Sequence, residues 1–208
     1  MNAKPIIFNT SMVQAILDGR KTQMRQVFIP QPKYTIFAFE RDPYETRYIE
    51  YSKEARADPK TKSIKGYRHI PKYKIGDVLW VREKTYGFAN GTDNHDMCYA
   101  THCPCGLSDE EHAKVKGWKP STHMPRAAAR IFLRVTSLRV KRLLQDISRD
   151  DALAEGINSP CRSFGYHSEY CLCIDKYSEL WNSINAKRGY GWEANPWVWV
   201  YEFERVDG

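Results

Sequence analysis

No apolar run in this 208-residue chain approaches the ~18 residues that a membrane-spanning helix needs, and the mean hydropathy of −0.63 points the same way. A membrane helix is therefore not expected. The opening stretch MNAKPIIFNTSMVQ lacks the basic-then-apolar layout and small-residue cleavage site of a secretory signal, so a cytoplasmic chain is expected. No internal repeat, low-complexity tract or regular strand–helix–strand spacing is visible, which argues against a solenoid and against a doubly wound sheet. Nothing suggests a catalytic metal. The six cysteines of such a chain are poor candidates for disulfides, because the compartment is reducing.

A sizeable core is affordable: 42% of residues are hydrophobic, 13% aromatic, and six are tryptophan. The net charge of +7 is unevenly placed. Residues 1–76 carry 15 Lys/Arg against 7 Asp/Glu, whereas residues 77–208 carry 17 against 18. The excess lies wholly in the first third, and a lopsided basic surface attracts phosphate by steering and counterion release. Residues 52–74 concentrate it, with eight basic and two acidic side chains, Lys65 and Arg68 among them, interleaved with Tyr67 and Tyr73. That mixture suits phosphate tracking with base stacking, and equally a solvated charged loop.

Local patterns give the elements. Residues 5–9 read as a strand. Ser11 is expected to cap a helix with Gln14 in the box position, Val13, Ile16 and Leu17 on its apolar face and Gly19 as its left-handed stop. Arg20-Lys21-Thr22 follows as extended chain, which would point Thr22 and Met24 to the same side. Residues 30–74 show little periodicity and are expected to be an irregular, mobile insertion. Residues 78–82 read as a strand, as does the segment from Ala129 to Val140. Residues 86–117 are expected to be a second, Cys/His-containing insertion with a short helix at SDEEHAKV. Ser148 caps a helix with Asp151 in the box position and Gly156 at its end; residues 174–187 give another. The final strand, NPWVWVYEFERV, alternates Trp197, Trp199, Tyr201 and Phe203 with Val198, Val200, Glu202 and Glu204. Strands mixed with helices and irregular loops indicate an α+β fold in one domain spanning residues 1–208.

Several segments, in this order, carry a resemblance: GRKTQMR at 19–25, GDVLWVRE at 76–83, PSTHMPRAAARI at 120–131, LQDISRDDALAEGI at 144–157 and LWNSINAKRGYGWEANPWVWVYEF at 180–203. Together they resemble the ASCH domain, in its prophage-borne branch. The resemblance implies a PUA-like β-barrel with flanking helices and a cleft that receives RNA or a modified nucleoside. Some members of that family are similar to small amidohydrolases that deacetylate N4-acetylcytidine with a lysine, a threonine and a glutamate. Mapped onto this chain, the lysine is Lys21 and the glutamate Glu155, while the threonine slot holds Met24. Thr22 is the nearest replacement hydroxyl.

Each candidate has a plain structural alternative. Lys21 follows a helix C-terminus, where any cation is favoured by the helix dipole. Glu155 sits at the wrong end of its helix for a carboxylate, a local cost that hints at a cationic partner such as Lys21 or Arg25. Arg82 and Glu83 end a strand, and His123 and Arg126 lie in a proline-stiffened run; all four are expected to join Lys21, Arg25 and Glu155 around one cleft. Trp80 and Trp118 are candidates for stacking on a base, and packing explains Trp80 equally well. Free thiols are the default state of the cysteines. The alternative is a structural zinc held by two C-x-C pairs, Cys103 with Cys105 and Cys171 with Cys173, a spacing shorter than that of most zinc sites; no cofactor is required. The functional expectation is binding of RNA, another nucleic acid or a modified nucleoside. Amidohydrolysis of an acylated cytidine is the alternative, and docking of a phage protein on a host protein is a second.

Overall fold

The computed structural model describes residues 3–32, 48–51, 66–86, 98–101, 118–141, 143–158 and 169–207. Five strands form a mixed, curled sheet, and helices pack on it, giving an α+β architecture. In chain order the elements are β1 (Lys4–Ile7), α1 (Thr10–Leu17), β2 (Gln23–Val27), β3 (Tyr48–Tyr51), β4 (Gly66–His69), β5 (Val78–Arg82), β6 (Thr85–Tyr86), β7 (Cys98–Tyr99), β8 (Phe132–Lys141), α2 (Arg149–Ala154), α3 (Glu169–Asn185) and β9 (Val198–Val206). The strand order is β1-β5-β8-β9-β2; β1 runs parallel to β5 and every other pairing is antiparallel. β1 and β2, joined through α1, are thus the two edges. Among the described residues no helix is long and apolar enough to cross a membrane.

The alternation in β9 explains how one strand serves two cores. Trp199, Tyr201 and Phe203 join Ile6, Phe8, Leu79, Val81, Leu133 and Val135, with Val13 and Ile16 of α1 covering them. Val198 and Val200 point to the opposite face and pack with Leu144, Ile147, Ala152, Cys173, Tyr177 and Trp181. A strand buried on both faces must be apolar at every position until it leaves the core, and β9 turns polar from Glu202 onward, where Phe203 is the last buried side chain.

Three local expectations change. Asn9, not Ser11, caps α1: its side chain accepts from the Met12 amide at 2.8 Å, and Ser11 donates to Asn9 at 2.9 Å. Both residues satisfy the cap chemistry, and the one two positions earlier wins because Thr10 is already helical. α3 begins at Glu169, five residues before the apolar periodicity starts. The stretch 30–74 is not wholly irregular: β3 and β4 pair as an antiparallel ladder, and its end belongs to the core, where Tyr73 is buried and donates to the Pro5 carbonyl at 3.0 Å. The helix expected at SDEEHAKV lies outside the described residues.

Candidate functional site

The cleft lies where the curled sheet stays open. Ile6, Ile7 and Phe8 of the β1 edge line one side, Met24, Arg25, Gln26 and Val27 of the β2 edge another, and Tyr177, Trp181, Ile184 and Asn185 of α3 lie along a third. Its volume is about 470 Å³, within the range of small-molecule sites.

Lys21, Arg25 and Glu155 meet at its floor. Gly156, at φ +91°, ends α2 and turns the chain so that Glu155 bridges to Lys21. The Lys21 ammonium donates to the Gln23 carbonyl at 2.8 Å, the Glu155 carbonyl at 2.8 Å and Glu155 Oε2 at 3.0 Å. Arg25 donates to Glu155 Oε1 at 3.0 Å and to Asp151 Oδ2 at 2.8 Å. Lys21, Arg25 and Glu155 are all buried, with side-chain exposures of 1%, 2% and 4%. The misplaced carboxylate thus has two cationic partners across more than a hundred residues of sequence.

Burial lowers the Lys21 pKa from the ordinary lysine range, and the Glu155 carboxylate opposes that shift without cancelling it. Three acceptors surround an ammonium with three hydrogens, so each hydrogen is used and none is left for a ligand. As an ammonium, Lys21 therefore fixes Glu155 rather than donating to what enters the cleft. Glu155 keeps acceptor capacity on both oxygens. Burial, and next the Glu155 charge, push the Tyr177 phenol well above its usual pKa, which keeps it a neutral hydroxyl beside Arg25, whose guanidinium lies 6.0 Å from the Tyr177 ring centre.

Asp151 holds Arg25 from behind. Partial burial raises its pKa, but the Arg25 charge and hydrogen bonds from Gln23 and the Ser148 cap outweigh that, and the net shift is downward. A carboxyl depressed in the folded state adds stability above its unfolded pKa of about 3.9, and that stability is lost as pH falls through the folded value. Asp151→Asn is therefore expected to reduce the loss of stability on acidification below about pH 4, read from denaturation midpoints across pH; an unaltered acid limb would contradict it.

The expected cleft gathers only part of its residues. Trp80, Arg82, Glu83, His123 and Arg126 do not line it; Trp80 and Arg82 belong to β5, one strand in from the β1 edge. Arg82 donates to the Thr122 carbonyl and lies over the Trp80 ring. Glu83 is buried in a closed arrangement: Arg130 donates to both of its oxygens at 2.9 Å, and Thr101 adds a bond at 3.2 Å. With Tyr99 beneath Arg130, this cluster ties β7 to the chain after Pro125. His123 and Arg126 are exposed. Thr22 is exposed too and does not line the cleft, whereas Met24 is buried and does; the Thr22 amide and carbonyl bond Ala154 and Phe203, which turns its side chain outward. Trp118 is half-buried with Lys84 over its ring.

Lys65, Cys103 and Cys105 lie outside the described residues, as do the side chains of Arg68 and Cys171. Cys173 is buried in the apolar cluster around Tyr177 and Trp181. Among the described residues no three His, Cys, Asp or Glu side chains group to hold a metal ion. The sequence reading does not mark Tyr177, Trp181, Asn185 or Asp151 as site residues. Tyr177 and Trp181 share one helix face with Ile174 and Ile184, and a core stripe at helical spacing is indistinguishable from a cleft wall. Asp151 carried a signal: two carboxylates four apart on one helix repel unless a cation lies between them.

Comparison with known proteins adds little. No family model and no curated protein matches the chain. A solved structure, protein EF3133 from Enterococcus faecalis V583 of family DUF984, is similar at 11% identity and a TM-score of 0.45, over all of this chain and 78% of its own. At that level the likeness carries no argument about function.

Proposed function

We propose that the chain is an ASCH-type, PUA-like barrel whose cleft holds a nucleobase, presented as a modified nucleoside or within RNA. One observation carries the reading. A buried, mutually paired Lys21–Glu155–Arg25 floor closes a cleft whose walls include Phe8, Tyr177, Trp181 and Trp199. A flat heterocycle matches both features: its faces pack on aromatic walls, and its polar edge meets the floor. Glu155 accepts from an exocyclic amino group, while Arg25 and the Tyr177 hydroxyl donate to a ring carbonyl. The floor is charge-balanced, with Lys21 and Arg25 facing Glu155 and Asp151, so it suits an uncharged ring better than a phosphate.

Calorimetric titration with cytidine, uridine, adenosine, guanosine and N4-acetylcytidine tests this. At least one is expected to bind, and Glu155→Gln is expected to weaken it by about tenfold to a hundredfold, the loss of a charge-assisted hydrogen bond. Absence of binding across the panel would sink the proposal.

A second reading rests on the lowered Lys21 pKa beside a carboxylate. Lys21, once it has released a proton, would take one from a water that adds to the acyl carbon of an N4-acetylated cytidine. It would pass that proton through Glu155, 3.0 Å away, to the amine as the C–N bond breaks, leaving acetate and cytidine. Met24 in the threonine slot and the outward Thr22 leave the cleft without a candidate hydroxyl nucleophile at those positions. Release of acetate from N4-acetylcytidine, abolished by Lys21→Met, would move this reading to first place.

A further inference from the structure

The mouth of the cleft differs in chemistry from its floor. Of the seven large hydrophobic side chains exposed among the described residues, four line this cleft: Ile7 at 50%, Ile29 at 54%, Ile70 at 67% and Ile184 at 49%. Apolar exposure concentrated at one opening marks a contact surface, where scattered exposure would not. Two cations interrupt this collar. Lys72 comes from the segment after β4, and Arg188 from the turn after α3. Both are exposed, and neither has a carboxylate partner among the described residues. The floor cations, by contrast, are both paired. Asn185, buried in the cleft wall, accepts from Arg188 at 3.5 Å and keeps that guanidinium on the cleft side of its turn.

We propose that Lys72 and Arg188 bind the phosphate of a nucleoside monophosphate whose base occupies the floor. This rests on the nucleobase reading and narrows it to a phosphorylated mononucleotide. Base, sugar and phosphate then meet, in order, a charge-balanced aromatic-walled floor, an apolar collar and two cations that have no carboxylate partner among the described residues. A longer strand fits the mouth less well. A polyanion tracked across the surface needs successive cations, and the described collar offers isoleucines in their place.

The test compares each of the four unmodified nucleosides with its 5′-monophosphate on the full chain, by calorimetry at low and at physiological salt. The monophosphate is expected to bind about tenfold or more tighter at low salt, with the ratio narrowing as salt rises. In the Lys72→Gln/Arg188→Gln double variant, whose changes are both at exposed positions, the nucleotide-to-nucleoside ratio is expected to fall close to one. Equal affinity for nucleoside and monophosphate in the wild type would overturn this inference and leave the nucleobase reading standing. So would a ratio that persists in the double variant. A single-stranded RNA oligonucleotide that binds far tighter than any monophosphate, with a steeper salt dependence, would also overturn it, in favour of strand tracking. If no nucleoside and no monophosphate binds, both readings fall.

Discussion

Replacing Glu155 with alanine is expected to lower stability by about 3–5 kcal/mol, the usual consequence of removing one partner from a buried ion pair. Lys21 and Arg25 reach its two oxygens at 3.0 Å from positions almost closed to water. Without the carboxylate, Lys21 keeps two carbonyl acceptors and Arg25 keeps Asp151. Asp151 still balances Arg25, but Lys21 is left without a carboxylate, and water must enter or Lys21 must release its proton. Glu155→Gln is expected to cost less, because an amide oxygen still accepts where the carboxylate did. Urea unfolding of the two variants against the wild type measures the difference. A loss below about 1 kcal/mol for Glu155→Ala, the range of an exposed pair, would show that the floor is hydrated and the paired arrangement wrong.

Gly156→Ala is expected to be comparably damaging, at about 3–5 kcal/mol, from two separable causes. The backbone at φ +91° is one that side-chain-bearing residues rarely adopt. A Cβ there would stand 2.8 Å from the Ala15 Cβ and 3.0 Å from the Lys21 Cβ. Relief requires α1 and α2 to move apart, and that movement separates Lys21 from Glu155. Gly19→Ala is the natural control. Its φ of +72° carries similar backbone strain, and nothing lies within 4 Å of its would-be Cβ, so about 1–2 kcal/mol is expected. Equal losses at the two glycines would mean that close packing at Gly156 is unimportant. A larger loss at Gly156, with weakened nucleoside binding, would tie this turn to the site.

What the sequence made legible follows the range of the physics involved. Ser148, Gly19 and Gly156 act within one helical turn, and each does what its residue type predicts: the Ser148 hydroxyl accepts from the Asp151 amide at 3.1 Å, and both glycines take positive φ. The two-sided burial of β9 was readable from alternation alone, since aromatic and β-branched side chains fill alternate positions. The convergence of Lys21 with Glu155 was a different matter. No local rule relates residues 134 apart; the dipole argument showed that Glu155 lacked a local reason, and the family resemblance supplied the partner. The same resemblance drew Arg82, Glu83, His123 and Arg126 toward the same cleft. None of the four lines the cleft: Arg82 is on β5, one strand in from the β1 edge, Glu83 is tied up by Arg130, and His123 and Arg126 are exposed elsewhere. The α3 wall was hidden because Tyr177 and Trp181 belong both to the apolar core and to the cleft. Rim cations such as Lys72 and Arg188 look in sequence like any other solvated charge.

The most direct test of the central claim is a nuclear magnetic resonance titration that follows the six tryptophan indole N–H signals as a nucleoside is added. Trp181 and Trp199 line the cleft, while Trp80 and Trp118 do not and carry the Arg82 and Lys84 side chains over their rings. The account predicts saturable shifts at Trp181 and Trp199, with Trp80 and Trp118 unmoved. Shifts confined to Trp80 and Trp118 would place the ligand outside this cleft and contradict the nucleobase reading.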